Sequence, residues 1–195
     1  MSRHDDAARR PASQRFVLPV FETPTACAGA VGSYVLRRIA YRAGAYAPGI
    51  DDTIFAELHT TCAGAGIDDV ERWFAGRVQS LHDLGYRLHA RRDTTSTRGL
   101  RSWLDAGRGY RGAIVATTYE ALHPPGSLAR DAGDSIVHAI GLAIEGSEAD
   151  GDGELVMIDP WARAGRTCDG IHPALDVARR GRDHQVLAIY WAGWA

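Results

Sequence analysis

The chain contains no lysine and no asparagine, and all 22 of its basic residues are arginine. Without lysine there is no Schiff-base nucleophile and no Walker-type phosphate loop, because both need a primary amine. Without asparagine, any cysteine–histidine site has to take its third member from Asp, Glu or Gln. Genome nucleotide composition accounts for arginine in place of lysine; a toxin or effector that avoids lysine modification in a host is the sharper alternative. Cysteine is sparse as well. Cys27, Cys62 and Cys168 are odd in number and lack a short regular spacing, so no disulfide framework is expected and at least one thiol is free.

Long apolar runs are missing. No stretch approaches the roughly 18 residues a membrane span needs, and the opening MSRHDDAARRPASQR has no run of signal-peptide length. The expectation is a soluble protein, cytoplasmic or exported by a route without a cleaved signal. A formal net charge of −2 with scattered arginines lacks the clustered basic face of a nucleic-acid surface. Neither nucleic acid nor membrane is therefore an expected partner. With 195 residues, 45% of them hydrophobic, the chain is long enough for one core. Residues 1–15 read as a flexible tail and 16–195 as a single domain, without an internal repeat.

RFVLPVFE reads as an extended arm ending at the turn TPT. From Ala28, the apolar residues Val31, Val35 and Ile39 recur at helical spacing. Thr23 or Thr25 is a candidate N-cap, with Pro24 suited to a first turn. A short helix is expected over 52–59. Asp68 is expected to cap a longer one whose apolar face is Val70, Trp73, Phe74, Val78, Leu81 and Leu84, ended by Gly85. YRLHAR and GAIVATTY read as strands on either side of a helix in STRGLRSWLDAG. EALHPPGSLARDAGDS reads as a loop or lid. SIVHAIGLAI, GELVMIDP and DHQVLAIYWAGW then read as strands, so helices come first and an antiparallel sheet after, an α+β fold.

Chemistry concentrates at two places. Either cap puts Cys27 in or near a first helical turn, where unpaired N–H groups and the helix dipole favour a thiolate. His138 shares a period-2 strand face with Ile140, Leu142 and Ile144, opposite the small residues Ala139, Gly141 and Ala143. Asp159 shares a face with Leu155 and Met157 and precedes Pro160, which cannot donate to a ladder. A hairpin turning at Ser147–Ala149 would set His138 opposite Asp159. An imidazole held by a carboxylate is the base and orienter of a triad, and Cys27 would supply the nucleophile for acyl transfer through a thioester.

A cysteine opening a helix, then helices, then VHAIGLAIEG and LVMIDPW, resembles the papain-like cysteine peptidase superfamily. The likeness is closest to the bacterial peptidases that process bacteriocin leaders after a double glycine. It covers about residues 20–162 in order and spacing, and the strand GAIVATTY ahead of the histidine matches too. The resemblance implies a papain-like fold, a helical half followed by a sheet half, with Cys27 as nucleophile, His138 as base and acid, and Asp159 as orienter. It also implies a peptide or protein substrate, a cognate inhibitor or immunity protein as a further partner, and no cofactor or metal.

The family carries a glutamine a few residues before its cysteine to help bind the oxyanion, but here that region is VFETPTAC. The only upstream glutamine is Gln14, thirteen residues away. Loss of one oxyanion donor typically costs about 10²–10³ in rate. Gln14 reaching back, or Thr23, Thr25 or a backbone N–H, would have to substitute. Three functions therefore stand open: a cysteine peptidase; a toxin or effector that deamidates or cleaves one target protein with the same triad; and a catalytically weak papain-like binding module. A different site, zinc on His59, Cys62, Cys168 and His172, has tolerable spacings, but its halves lie about a hundred residues apart. DGDGE near residue 152 lacks the spacing of a calcium loop and reads as the hairpin turn. Trp161, Trp191 and Trp194 are candidates for either a partner surface or the core.

Overall fold

The computed structural model describes residues 27–45, 53–54, 56–58, 66–93, 97–118, 137–145, 154–158 and 186–195. Helix α1, Cys27–Arg42, begins at the cysteine itself. Cys27, Val31, Val35 and Ile39 are four residues apart and so form one stripe along it, and all four are buried. Leu36 and Ala40, off that stripe, are buried as well, because α1 packs against both the sheet and the next long helix. Each fully buried Val, Leu or Ile contributes on the order of 1.5–3 kcal/mol, so this apolar helix is held by its surroundings rather than by propensity.

The described residues between 53 and 58 are helical, as expected. Helix α2, Ile67–Asp83, buries Val70, Trp73, Phe74 and Leu81. Its N-cap is Gly66 rather than Asp68. The Gly66 N–H donates to Asp69 Oδ2 at 3.2 Å, so a carboxylate inside the first turn reaches back to the chain and the helix starts earlier than an Asp68 cap would allow. Asp68 instead pairs with Arg92. Gly85, at φ 90°, ends the helix in the left-handed conformation that glycine adopts without strain. Leu84 is exposed rather than part of the apolar face.

Strands β1 (Leu88–Asp93), β2 (Arg111–Thr118), β3 (Val137–Glu145), β4 (Glu154–Ile158) and β5 (Val186–Trp191) form one sheet in the order β1-β5-β2-β3-β4, every pairing antiparallel. Helix α3, Thr97–Ala106, lies between β1 and β2 in sequence. The α+β expectation holds, with helices toward the N-terminus and the β3 to β5 strands following them.

Among the described residues, buried side chains pack on both faces of the sheet. On one, α1 and α2 pack with Leu88, Ile114, Ala139, Leu187 and Ile189. On the other, Leu100 and Leu104 of α3 pack with Ala113, Val115, Ile140, Leu142, Leu155 and Met157. The period-2 alternation of β3 thus sorts as expected: Ala139 and Ala143 belong with α1's side, Ile140 and Leu142 with α3's.

The β3–β4 register differs from the expected one. Gly141 pairs with Ile158, Leu142 with Met157 and Ile144 with Leu155, two residues away from the register that sets His138 opposite Asp159. An even shift keeps every side chain on its face. The polar sequence GSEADGDG between the strands does not by itself fix their register, and Ile158 fits beside the glycine, its Cδ1 3.4 Å from where a Gly141 methyl would stand. Trp191 packs at the α1 and α2 core, and Trp194 stacks on Tyr110 at 4.6 Å.

The N-terminal tail and arm, Thr23 and Thr25 as caps, the stretch EALHPPGSLARDAGDS read as a loop or lid, and Trp161 lie outside the described residues. Among the described helices, none is long and apolar enough to cross a membrane.

Candidate active site

Cys27 stands at the first position of α1, and His138 at the second of β3. Separated by 111 residues in sequence, they meet because the Val31, Val35 and Ile39 stripe of α1 lies along the small-residue face of β3 and β2. Methyl groups added at Gly141 or Gly112 would strike that stripe. With the helix laid down this way, its first residue reaches the start of β3. Among the described residues, β4 pairs with β3 only from Gly141 onward, past the histidine.

The thiol of Cys27 is hydrogen-bonded to the His138 imidazole. Both groups are enclosed, Cys27 at 9% exposure and His138 at 1%. Burial, the largest single influence on the thiol, pushes its pKa up. The hydrogen bond to His138, the charge of that imidazole, and the backbone N–H groups of Ala139 and Ala28 act the other way and together prevail, so the thiol ionises below its ordinary value. An apolar pocket alone would raise the pKa of a buried thiol, so the lowering comes from these polar neighbours.

Of the sequence-derived site residues, Cys27 and His138 are therefore together. Asp159, Gln14 and Thr25 lie outside the described residues, as do His59, Cys62, Cys168 and His172. Among the described residues no group of three or more His, Cys, Asp or Glu side chains could hold a metal ion. The two backbone donors, Ala28 and Ala139, were not legible in the sequence, because every non-proline residue carries an N–H and only the fold aims it. Their small side chains are the one available signal, since they let main chain and sulfur approach.

A second titratable cluster lies at the far end of α2. His82 meets His89 edge to face at 5.0 Å, and His89 stacks on Tyr190. Burial, then the charge of His82, holds the His89 pKa below its ordinary value.

Comparison of the chain with protein-family models, with curated proteins and with solved structures finds no match.

Proposed function

We propose that the chain is a cysteine-type amide-bond hydrolase, a peptidase on a papain-like scaffold, with Cys27 as nucleophile, His138 as general base and acid, and Asp159 as the residue that orients the imidazole. The observation carrying this reading is the bond between a helix-start thiol and a buried imidazole, with the thiol held below its ordinary pKa. Packing does not require such a pair: a cysteine serving only as a small hydrophobe gains nothing from an imidazole at its sulfur.

The chemistry follows from the pair. His138 accepts the thiol proton as Sγ attacks the carbonyl carbon, and the imidazolium returns it to the leaving amine as the C–N bond breaks, leaving a thioester. Water, deprotonated by the same imidazole, then releases the acid and frees the thiol. The N–H groups of the first turn of α1, together with Gln14 or Thr25, supply the candidates for oxyanion binding in place of the family's glutamine.

Cys27→Ala is expected to reduce cleavage of a mixed peptide substrate to background while circular dichroism shows the fold intact. Unchanged cleavage by that variant would remove the proposal. Ammonia release without chain cleavage, lost in the same variant, would keep the site and assign it to deamidation instead.

A further inference from the structure

The stripe that carries Cys27 does not rest on ordinary side chains. Where Val31 and Val35 of α1 meet β3 the residue is Gly141, and where Val35 and Ile39 meet β2 it is Gly112. A methyl group at Gly141 would lie 2.7 Å from Val31 Cγ1 and 3.1 Å from Val35 Cγ2; one at Gly112 would lie 2.5 Å from Val35 Cγ1 and 3.2 Å from the Leu142 carbonyl oxygen. Neither glycine adopts the left-handed conformation. Their role is thus one of space: each lets the helix lie closer to the sheet than any side chain would allow.

The two contacts differ in their distance from the thiol. Val31 is one turn from Cys27, while Gly141 is three residues from His138, so a wedge between Val31 and Gly141 acts next to both partners. Val35 is two turns away. A hydrogen bond loses strength steeply as its geometry departs from linear contact at close range. A helix lifted by a fraction of an ångström at Val31 therefore separates the sulfur from the imidazole.

We infer that Gly141 is a positioning residue for the Cys27–His138 pair, setting the distance of the first turn of α1 from the start of β3. This inference rests on the hydrolase reading in needing the pair, but its test reads the pair directly. The ultraviolet absorbance of the Cys27 thiolate, taken as the difference between the chain and its Cys27→Ala variant, is titrated against pH in wild type, His138→Ala, Gly141→Ala, Gly112→Ala and Gly141→Ala/Val31→Ala. The midpoint is expected to be low in wild type, to rise in Gly141→Ala toward the ordinary thiol value of about 8.5, and to return in the double variant, where the trimmed valine makes room for the new methyl. Gly112→Ala, which presses two turns away, should keep the wild-type midpoint. Should Gly141→Ala not fold, Val31→Ile enlarges the same contact by one methylene and is expected to raise the midpoint in the same direction.

A wild-type midpoint in folded Gly141→Ala, or in folded Val31→Ile if that variant has to stand in, overturns the inference. So does a rise in Gly141→Ala that the valine trim fails to reverse, or one that Gly112→Ala matches. A wild-type midpoint already at the ordinary value and indifferent to His138→Ala is a separate result, and it overturns the thiol–imidazole reading itself.

Discussion

At the scale of single residues, Cys27 is the place where opposing influences can be weighed by experiment. Its native pKa lies below the value it has in an unfolded chain. Above that unfolded value, about 8.5, both states hold a thiolate, and the contacts of the native sulfur with His138, Ala139 and Ala28 stabilise the fold in full. As pH falls through the lowered native value the sulfur reprotonates and this contribution disappears. The unfolding free energy of wild type relative to Cys27→Ala should therefore rise with pH across that window and level off above it. Denaturant midpoints at a series of pH values read the difference directly. In a His138→Ala background the rise should shrink, because the largest lowering influence has gone while burial remains. A difference that falls with rising pH would mean that burial prevails and the sulfur is held as a thiol.

At the scale of elements, the helices show which sequence signals were sufficient. The four-residue recurrence of Val31, Val35 and Ile39 and the glycine at 85 marked α1 and the end of α2 because they report local geometry, and local geometry was retained. The start of α2 was misplaced because Asp68 and Asp69 are equally good cap chemistry, and only the position of Arg92 on β1 decides between them: Arg92 takes Asp68 and also Glu71, whose Oε2 lies 2.7 Å from its Nε. Asp69 is left to bond the Gly66 N–H through Oδ2, its Oδ1 pairing with the exposed Arg72 at 2.8 Å. Asp69→Ala is accordingly expected to cost about 1 kcal/mol, the magnitude of a lost helix cap. Asp68→Ala, which breaks an exposed ion pair, should cost about 0–1 kcal/mol, and less in high salt. Urea unfolding of the two variants at low and high ionic strength separates them; a larger loss in Asp68→Ala that salt leaves unchanged would restore Asp68 as the cap. The β3–β4 register went wrong for a related reason. Alternation specifies the face but not an even shift along the strand, and the choice fell to the fit of Ile158 beside Gly141.

On the scale of the whole molecule, the sheet separates the packing of α1 from that of α3, and Cys27 belongs to the α1 side. Cys27 packs in the core that α1 and α2 build. Leu100 and Leu104 of α3 pack on the opposite face with Ile140 and Leu142. The sequence showed the alternation behind this division, since the small residues of β3 are those that accept α1. It did not show that the last strand, β5, would enter between β1 and β2, because strand order is decided by contacts remote in the chain. The division has a measurable consequence. Leu104 is fully buried, so Leu104→Ala should cost about 2–5 kcal/mol through lost transfer energy and the cavity left behind. Its cavity opens on the face away from α1, and the intervening strands are tied by hydrogen bonds along β2 and β3. The thiolate titration of Cys27 should then keep its wild-type midpoint in Leu104→Ala at temperatures where the variant stays folded. Loss of stability with an unmoved midpoint makes the position of α1 on the sheet, not the overall stability of the chain, the quantity that sets the thiol. A midpoint that moved with Leu104 would mean that the sheet passes strain from one core to the other, and that the pair answers to the packing of the entire molecule.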